Sequence, residues 1–517
     1  MSKLNHNLKN PFSDKYNGPK RALILAGGGM RVAYQAGVLR ALFESGYRFE
    51  HVDGTSGGII NTAMMFSDLS ADEMCNRWET LNVKDFVSYM PLFDYVKPFD
   101  LKAMGDADGI VNKVFPHLGI DVKKINKVKG MTGSFNVCNY TNKTNEVIPH
   151  DKIDLDLLVA GISLPIFMPP VKKGKYLYMD SVWIKDANLM EGVKRGAEEL
   201  WVIWCIGNSD EYKDGLFNQY VHMIELSANG GLFEEFERIR EINERISNGE
   251  IVYGHTAPIK LHLIKPEHPL PLDPELYFGH INTATLIGMG YSDAKQYLKT
   301  MSKNGLPFES SVTKMKEAEI GVTFREKMIG GFALGVTDPK EGMKKGKAEG
   351  TKLSLNVSII VHDLRKFISN VKHTGLIFGN IDFSAFGGKI LAKSGKFNLF
   401  SPTDDADLKV LVYELCFEYN GDDYFLSGKK MIKDDPGFDL WKDTTTLFTH
   451  MHRGSDKTGT IIGAGILELK PRELMKLISS MHITNAGSTK EKIKATREFG
   501  QFFMGEFWDS YAKKLKK

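Results

Sequence analysis

Two glycine-rich segments decide the fold of this chain: Gly27-Gly-Gly-Met-Arg31 and Gly54-Thr-Ser-Gly-Gly58. The first follows the apolar run Arg21-Ala-Leu-Ile-Leu-Ala26, and the second follows the segment that begins at Phe49. A short apolar run that ends in glycines is typical of a buried strand followed by a turn with unusual backbone angles. Apolar residues at helical spacing come after each segment, so the sequence predicts two strand, turn and helix units.

The second segment has the pattern G-x-S-x-G, in which small neighbours leave Ser56 exposed on a sharp turn between a strand and a helix. The first segment, at the N-terminus of a helix, presents backbone N–H groups from Gly27, Gly28 and Gly29. Such donors stabilise the alkoxide that develops when a carbonyl is attacked. The pair therefore favours a nucleophilic serine beside an oxyanion loop.

A glycine-rich turn more often holds a phosphate or a dinucleotide. Here no G-K-[ST] follows the glycines, and Val32 breaks the G-x-G-x-x-G spacing. A lone G-x-S-x-G also occurs in ordinary turns. The two segments together, about one supersecondary unit apart, carry much more weight than either alone.

The order of G-G-G-x-R and G-T-S-G-G resembles the patatin-like phospholipase family, whose members use a serine and an aspartate without a catalytic histidine. The proline-rich apolar segment Leu157–Val171 and the turn Tyr176–Val182 resemble the family's later landmarks. In this comparison Asp180 matches the family's general base. The similarity covers residues 18 to about 298 and implies a three-layer α/β/α catalytic domain.

The resemblance implies a Ser-Asp dyad of Ser56 and Asp180 that acts through an acyl-serine intermediate. The expected activity is that of a serine lipid acyl hydrolase of phospholipase A or lysophospholipase type. The implied substrate is a phospholipid or another acyl-ester lipid, with no cofactor and no metal. Two alternatives stay open, namely a lipid acyltransferase on the same dyad and a non-enzymatic lipid-binding protein on a degenerate hydrolase scaffold.

Three residues depart from the family's pattern, because Val32, Ser181 and Val182 stand where the family usually has glycine. If those turns need a positive φ, the bulkier residues would be strained. Arg31 has two interpretations of equal weight: it binds an anionic head group of the substrate, or it packs beside the turn. His51 lies close to Ser56 in sequence, which leaves a Ser-His-Asp arrangement open, although a structural role is favoured.

Composition limits the other classes of function. The chain has 517 residues, a hydrophobic content of 42% and a formal net charge of +3, which gives no strong case for nucleic acid. No signal peptide is predicted, because the first seventeen residues are polar and the first apolar run is too short. No membrane span is predicted either, since the longest apolar run, Leu157–Val171, is interpreted as a buried strand and a wall of the substrate pocket. We expect a cytoplasmic protein with reduced cysteines and with peripheral membrane contact. His450 and His452 would share one face of a strand, without a third metal ligand nearby in sequence.

The pattern of the chain changes after about residue 300. We expect a catalytic domain over residues 18–300, a linker over 301–321 and a β-rich domain over 322–517. Lys352–Val361 and Lys409–Glu418 are among several segments that alternate with period two, and Asn420–Asp423 is typical of a hairpin turn. The second domain should be an antiparallel barrel or sandwich that ends in helices around 471–481 and 490–511.

Overall fold

A computed structural model describes residues 18–86, 88–89, 103–405, 408–433 and 444–512. The chain divides into two compact units. The first contains the described residues up to Tyr277 together with Asn282–Glu317, and the second contains Phe278–Ile281 and the described residues from Ala318 onward.

The first unit alternates strands and helices. Its strands are β1 (Arg21–Leu25), β2 (His51–Thr55), β3 (Ser88–Tyr89), β4 (Gly105–Asp106), β5 (Thr132–Asn139), β6 (Thr144–Pro149), β7 (Val171–Lys173), β8 (Tyr176–Asp180), β9 (Glu199–Ile203) and β10 (Lys260–Ile264). Its helices are α1 (Ala33–Glu44), α2 (Gly58–Phe66), α3 (Ala71–Thr80), α4 (Phe115–Leu118), α5 (Val122–Ile125), α6 (Leu155–Gly161), α7 (Leu189–Lys194), α8 (Leu216–Ser247), α9 (Asp273–Tyr277) and α10 (Thr283–Thr300).

The main sheet has the strand order β10-β9-β1-β2-β5-β8-β7, with β6 paired to β5. Strands β10, β9, β1, β2 and β5 are parallel, whereas β6, β7 and β8 join in the antiparallel sense. Since β1 and β2 are parallel neighbours, their carboxyl ends lie at the same edge of the sheet. The two glycine-rich segments follow these ends and therefore meet.

Helices cover both faces of this sheet. Alternate residues of β1, β9 and β10 pack with α7 and α8 in one apolar cluster, which contains Ile24, Val202 and Phe236. On the opposite face, Trp201 stacks against His262 and contacts Tyr297 of α10. The predicted three-layer α/β/α fold class is confirmed.

The strand expected within Leu157–Val171 is wrong. Its first part lies in α6, which begins after the N-cap Asp154, and the rest forms turns before β7. The Asp154 side chain accepts a hydrogen bond from the Leu157 N–H, and such a cap favours a helix start. The short apolar run did not distinguish a buried helix from a strand.

The second unit is a closed antiparallel β-barrel followed by helices. Its elements are β11 (Gly321–Leu334), α11 (Pro339–Glu349), β12 (Lys352–Val361), α12 (Leu364–Ser369), β13 (Thr374–Phe383), β14 (Gly388–Pro402), β15 (Leu408–Tyr419), β16 (Asp422–Lys433), β17 (Thr446–Arg453), β18 (Ile461–Glu468), α13 (Pro471–Ser480), β19 (His482–Thr484) and α14 (Thr489–Ala512).

Barrel closure comes from β11, which pairs with β12 on one side and with β18 on the other. Closure removes the exposed edges of a sheet. The predicted hairpin turn joins β15 to β16, where Asn420 and Gly421 both have positive φ, of 55° and 81°. This conformation suits the right-handed twist of the strands. Of the two predicted architectures, the structure selects the barrel.

An ion pair lies inside the otherwise apolar barrel. Lys430 Nζ lies 2.5 Å from Glu326 Oε1, and the Tyr413 hydroxyl donates to Glu326 Oε2 at 2.6 Å. All three side chains are buried, so Lys430 and Glu326 depend on each other for charge compensation. Burial, followed by the charge of Glu326, raises the pKa of Tyr413 well above its ordinary value.

We expect Lys430→Met to destabilise the barrel by about 3–5 kcal/mol, because it leaves a carboxylate buried without its cation. The double variant Lys430→Met/Glu326→Gln should recover most of this loss, since the glutamine oxygen still accepts from Tyr413. Calorimetric unfolding of the single and double variants measures the effect. Equal destabilisation of both would contradict this account of the pair.

Candidate active site

Ser56 lies at the turn between β2 and α2 and has a positive φ of 52°. A left-handed conformation is uncommon for a residue other than glycine and marks local strain. The glycines around it allow close packing, since a Cβ on Gly57 would lie 2.6 Å from the Gly29 carbonyl oxygen. This is the strand, sharp turn and helix predicted for a nucleophile elbow.

Asp180 is the last residue of β8, and its side chain is directed at Ser56. The Ser56 Oγ donates a hydrogen bond to Asp180 Oδ2 at 2.7 Å, and the Val182 N–H donates to Asp180 Oδ1 at 2.9 Å. The Asp180 N–H in turn donates to the Ser163 carbonyl at 3.1 Å, which fixes the backbone of the carboxylate. Residues 124 positions apart in sequence are thus brought into direct contact.

Burial raises the pKa of Asp180 to about 7, although the hydrogen bonds from Ser56 and Val182 act in the opposite direction. A carboxylate with such a pKa is a stronger base than an exposed one. General bases work best when their pKa lies near the working pH. The arrangement can therefore take a proton from Ser56 near neutrality.

His51 does not join this pair. Its ring nitrogens lie 2.9 Å from Thr132 Oγ1 and 3.1 Å from Ser134 Oγ, on β5. Burial, followed by the charge of Arg195, lowers the pKa of His51 to about 3, so the ring is neutral at physiological pH. The contacts of Ser56 and His51 favour a two-residue arrangement without histidine.

The glycine loop is held by two aspartates at its ends. The Gly27 N–H donates to both carboxylate oxygens of Asp186 at 3.1 Å, and the Met30 N–H donates to Asp273 Oδ1 at 3.1 Å. Among the described residues, nothing accepts a hydrogen bond from the N–H groups of Gly28 and Gly29. Of the three predicted oxyanion donors, Gly27 already has a partner, while the Gly28 and Gly29 amides are available.

The loop lies directly against the serine. A Cβ on Gly27 would lie 2.8 Å from Ser56 Cβ and 2.2 Å from Asp186 Oδ1, so only glycine fits between them. Gly28 and Gly29 have positive φ, of 151° and 58°. The buried Ser56 and Asp180 therefore lie beside the glycine loop, in which Gly28 is buried and Gly29 is exposed. An acid, a serine and free backbone N–H groups in one place are the groups that acyl transfer uses.

The sequence of the first unit matches one known protein family. Residues 23–191 match the family model described as patatin-like phospholipase. This part of the chain is a patatin-like phospholipase domain. At the level of the family, the match supports hydrolysis of lipids. No curated protein sequence matches the chain.

Among solved structures, VipD from Legionella pneumophila is similar at 14% sequence identity and a TM-score of 0.29. The match covers 54% of this chain and 67% of VipD. Within the described part of the chain, no helix combines the length and the apolar character needed to cross a bilayer.

Bulky residues at three positions of the patatin-like domain cause no backbone strain. Val32 has a φ of −65° in the right-handed helical region. Ser181 and Val182 form a short 3-10 turn after Asp180, and neither has a positive φ. The strain considered from the sequence is therefore absent at these positions.

Arg31 is buried, and its Nε donates to the Gly28 carbonyl at 3.0 Å. In a trans peptide the C=O and the following N–H point in opposite directions. By holding the Gly28 carbonyl, Arg31 sets the direction of the Gly29 N–H. Of the two interpretations of Arg31, these contacts favour the packing role over binding of a head group.

Two further residues of the site were missed from the sequence. Asp186 restrains Gly27 through the hydrogen bond that it accepts from the Gly27 N–H. Its position six residues after the predicted base Asp180 was the sequence feature that could have identified it as a site residue. Asn136 on β5 contacts Asp53, Asn145 and Asn188, and Asn145 accepts from Ser181. This buried network connects the strand before Ser56 to the residue after Asp180, and a polar residue within a buried strand gave only a weak signal.

The remaining candidates from the sequence have ordinary roles. His450 and His452 both lie on β17, with ring centroids 6.4 Å apart. The ring nitrogens of His452 lie 3.1 Å from Ser427 Oγ and 3.0 Å from the Gly459 carbonyl, which leaves no ligand atom for a metal. All four cysteines belong to the described residues, and none of them forms a disulfide bond.

We expect Arg31→Met to lower kcat with little change in KM, because the Gly28 carbonyl loses the Nε donor that helps to orient the Gly29 N–H. The loss should stay below the roughly 10²–10³-fold cost of removing an oxyanion donor, since the Arg31 backbone N–H still donates to the same carbonyl at 3.1 Å. The loss should be equal on a neutral short-chain ester and on an anionic phospholipid, measured in parallel. A loss confined to the anionic substrate would contradict the packing role and favour head-group binding.

The two buried acids predict a bell-shaped dependence of kcat/KM on pH. The rate should rise as Asp180 ionises near pH 7. Burial, followed by the charge of Asp180, raises the pKa of Asp186 to about 8, and the rate should fall there because a second negative charge opposes the oxyanion. Asp186→Asn keeps an acceptor for Gly27 without the charge.

The Asp186→Asn variant should therefore keep the acid limb of the pH profile of kcat/KM and lose the alkaline limb. Stopped-flow or steady-state rates from pH 5 to pH 10 with a soluble ester measure both limbs. Asp186→Ala is the matched control, since it also removes the acceptor and should lower the rate at every pH. An alkaline limb that persists in Asp186→Asn would contradict the assignment.

Proposed function

We propose that this protein is a serine lipid acyl hydrolase of phospholipase A or lysophospholipase type, with Ser56 and Asp180 as its catalytic dyad. The observation that carries the proposal is the 2.7 Å hydrogen bond from Ser56 Oγ to a buried Asp180 carboxylate. The match of residues 23–191 to the patatin-like phospholipase model supports lipid as the substrate class.

In the first half of the reaction, Ser56 Oγ attacks the ester carbonyl of the lipid while Asp180 takes its proton. The N–H groups of Gly28 and Gly29 stabilise the tetrahedral oxyanion. Collapse breaks the bond to the alcohol, which leaves as a lysolipid with the proton from Asp180. The product on the enzyme is an acyl ester of Ser56.

In the second half, water attacks the acyl ester, and Asp180 takes a proton from the water. Collapse of the second tetrahedral intermediate releases the fatty acid and returns the proton to Ser56. The mechanism needs no metal or cofactor, because the base and the oxyanion donors come from this chain. Asp180 acts as general base in each half, as a histidine does in a triad.

The acyltransferase alternative differs only in the acceptor, since an alcohol would replace water in the second half. The non-enzymatic alternative was motivated by Val32, Ser181 and Val182, and the unstrained backbone at these residues removes that motive. The hydrolase remains the function that the site supports best.

The test combines active-site labelling with product analysis. A fluorophosphonate should label Ser56 in the wild-type protein, and phosphatidylcholine vesicles should yield free fatty acid and lysolipid. We expect Asp180→Asn to lower the rate by about 10³-fold or more. His51→Gln is the matched control and should keep the rate within about threefold, since His51 does not contact the dyad.

Three outcomes would count against the proposal. Folded wild-type protein without label on Ser56 would favour the lipid-binding alternative. Transfer of the acyl chain to an added alcohol lipid in preference to water would favour the acyltransferase. A loss in His51→Gln as large as that in Asp180→Asn would restore a triad.

A further inference from the structure

The first half of α8 exposes apolar side chains where a surface helix normally carries charges. Leu216, Met223 and Leu226 lie on the solvent side of the helix, and Leu216 and Leu226 are 87% and 75% exposed. Further along the same helix, the exposed positions become charged, for example Glu234 and Glu237. The helix thus changes from an apolar to a charged outer face.

Three more exposed apolar residues lie beside this half of α8. The Tyr220 hydroxyl donates to the Pro165 carbonyl at 2.7 Å, which places the next residue, Ile166, beside α8. The Ile166 carbonyl in turn accepts from the Met104 N–H at 2.7 Å. The Ile184 carbonyl lies 3.4 Å from a Cβ built on Gly231. The apolar patch is defined by Met104, Ile166, Ile184, Leu216, Met223 and Leu226.

Ile166 shows that the patch is not an accident of a loose surface. It is 57% exposed, and its φ is 75°. A β-branched residue in the left-handed region is a genuine outlier, and such strain persists where the surrounding structure over-determines the backbone. The fold therefore maintains a strained backbone at Ile166, whose apolar side chain is exposed to solvent.

Aromatic contacts connect the patch to the dyad. The Tyr220 ring lies 5.5 Å from Phe167 and 5.8 Å from Trp183, measured between ring centroids. Trp183 belongs to the turn that follows Asp180, and the Ser227 hydroxyl donates to its carbonyl at 2.8 Å. The patch and the catalytic carboxylate are therefore built on the same packed elements.

The charges around the patch indicate the surface it fits. From Asp210 to Leu226 the charged residues are four carboxylates and one lysine, and none lies between Gly215 and Ile224. This segment therefore lacks the cluster of basic residues that binds anionic lipid. Three of the four carboxylates also lie beside basic side chains of the protein, Asp210 with Lys314, Glu211 with Lys213 and Glu225 with His222. An apolar surface with no excess of either charge fits a zwitterionic lipid surface rather than an anionic one.

We propose that the apolar patch inserts into a zwitterionic phospholipid surface and sets the dyad at the lipid interface. The proposal rests on the proposed lipid hydrolase function, because a lipid substrate is drawn from such a surface. Apolar area and complementary charge give an interfacial helix its affinity, without a span across the bilayer. The patch thereby selects aggregated phospholipid over monomeric ester as substrate.

The binding arm of the experiment uses full-length Ser56→Ala protein, so that it does not depend on catalysis. This protein should float with phosphatidylcholine vesicles at least as well as with phosphatidylserine-rich vesicles. Leu216→Glu/Leu226→Glu should weaken the binding about tenfold or more, because two apolar contacts become charged. Circular dichroism and thermal unfolding establish that this exposed double variant is folded.

Ile251→Glu is the matched control for Leu226→Glu, since Ile251 is 71% exposed and follows the far end of α8, whose length from Leu226 to Ser247 is roughly 30 Å. It should leave vesicle binding unchanged. The activity arm compares the same variants in the Ser56 background on a soluble short-chain ester and on phosphatidylcholine vesicles. The double variant should keep its rate on the soluble ester and lose about tenfold on vesicles.

Several results would overturn the proposal. These are no vesicle binding by Ser56→Ala protein, undiminished binding of the double variant, and binding to anionic vesicles alone. A change from oligomer to monomer in the double variant, with vesicle binding intact, would assign the patch to a second copy of the chain. Absence of ester hydrolysis in every variant, with patch-dependent vesicle binding, would instead contradict the proposed function and leave the docking surface standing.

Discussion

The hydrogen bond between Ser56 Oγ and Asp180 Oδ2 is the contact on which the rest of the site depends. It requires a serine held in a left-handed turn at the end of β2 and a carboxylate at the end of β8. Burial of that carboxylate costs free energy and raises its pKa to about 7. Burial therefore has two effects on Asp180: it destabilises the charged carboxylate, and it makes that carboxylate a stronger base.

The glycine loop shows how neighbouring side chains prepare a site for a charge that develops only during the reaction. Asp186 and Asp273 occupy the N–H groups at the two ends, and Arg31 holds the Gly28 carbonyl between them. What remains is a pair of amides, from Gly28 and Gly29, without an acceptor among the described residues. In the proposed mechanism these donors need no rearrangement when the oxyanion forms, and such preorganisation is the basis of electrostatic catalysis.

Local sequence patterns predicted the strands, turns and helices around the two glycine-rich segments correctly, because strands β1 and β2 and the glycines after them are defined by adjacent residues. The barrel strands were predictable for the same reason, since period-two alternation is local. Contacts between residues that lie far apart in the sequence were not predictable in this way. Asp186 bonding to Gly27 and the Asn136 network join residues from separate elements, and no spacing rule encodes them. The segment Leu157–Val171 was misread because a short apolar run fits a helix as well as a strand.

In the proposed mechanism an acyl group passes through Ser56, and direct capture of this acyl-serine intermediate tests the mechanism. The wild-type protein is mixed with a nitrophenyl ester of a fatty acid, quenched in acid within the burst phase, and digested for peptide mass spectrometry. We expect a burst of nitrophenol and an equal amount of acyl group on the peptide that contains Ser56. A burst with the acyl group on another residue, or turnover without any acylated peptide, would contradict it.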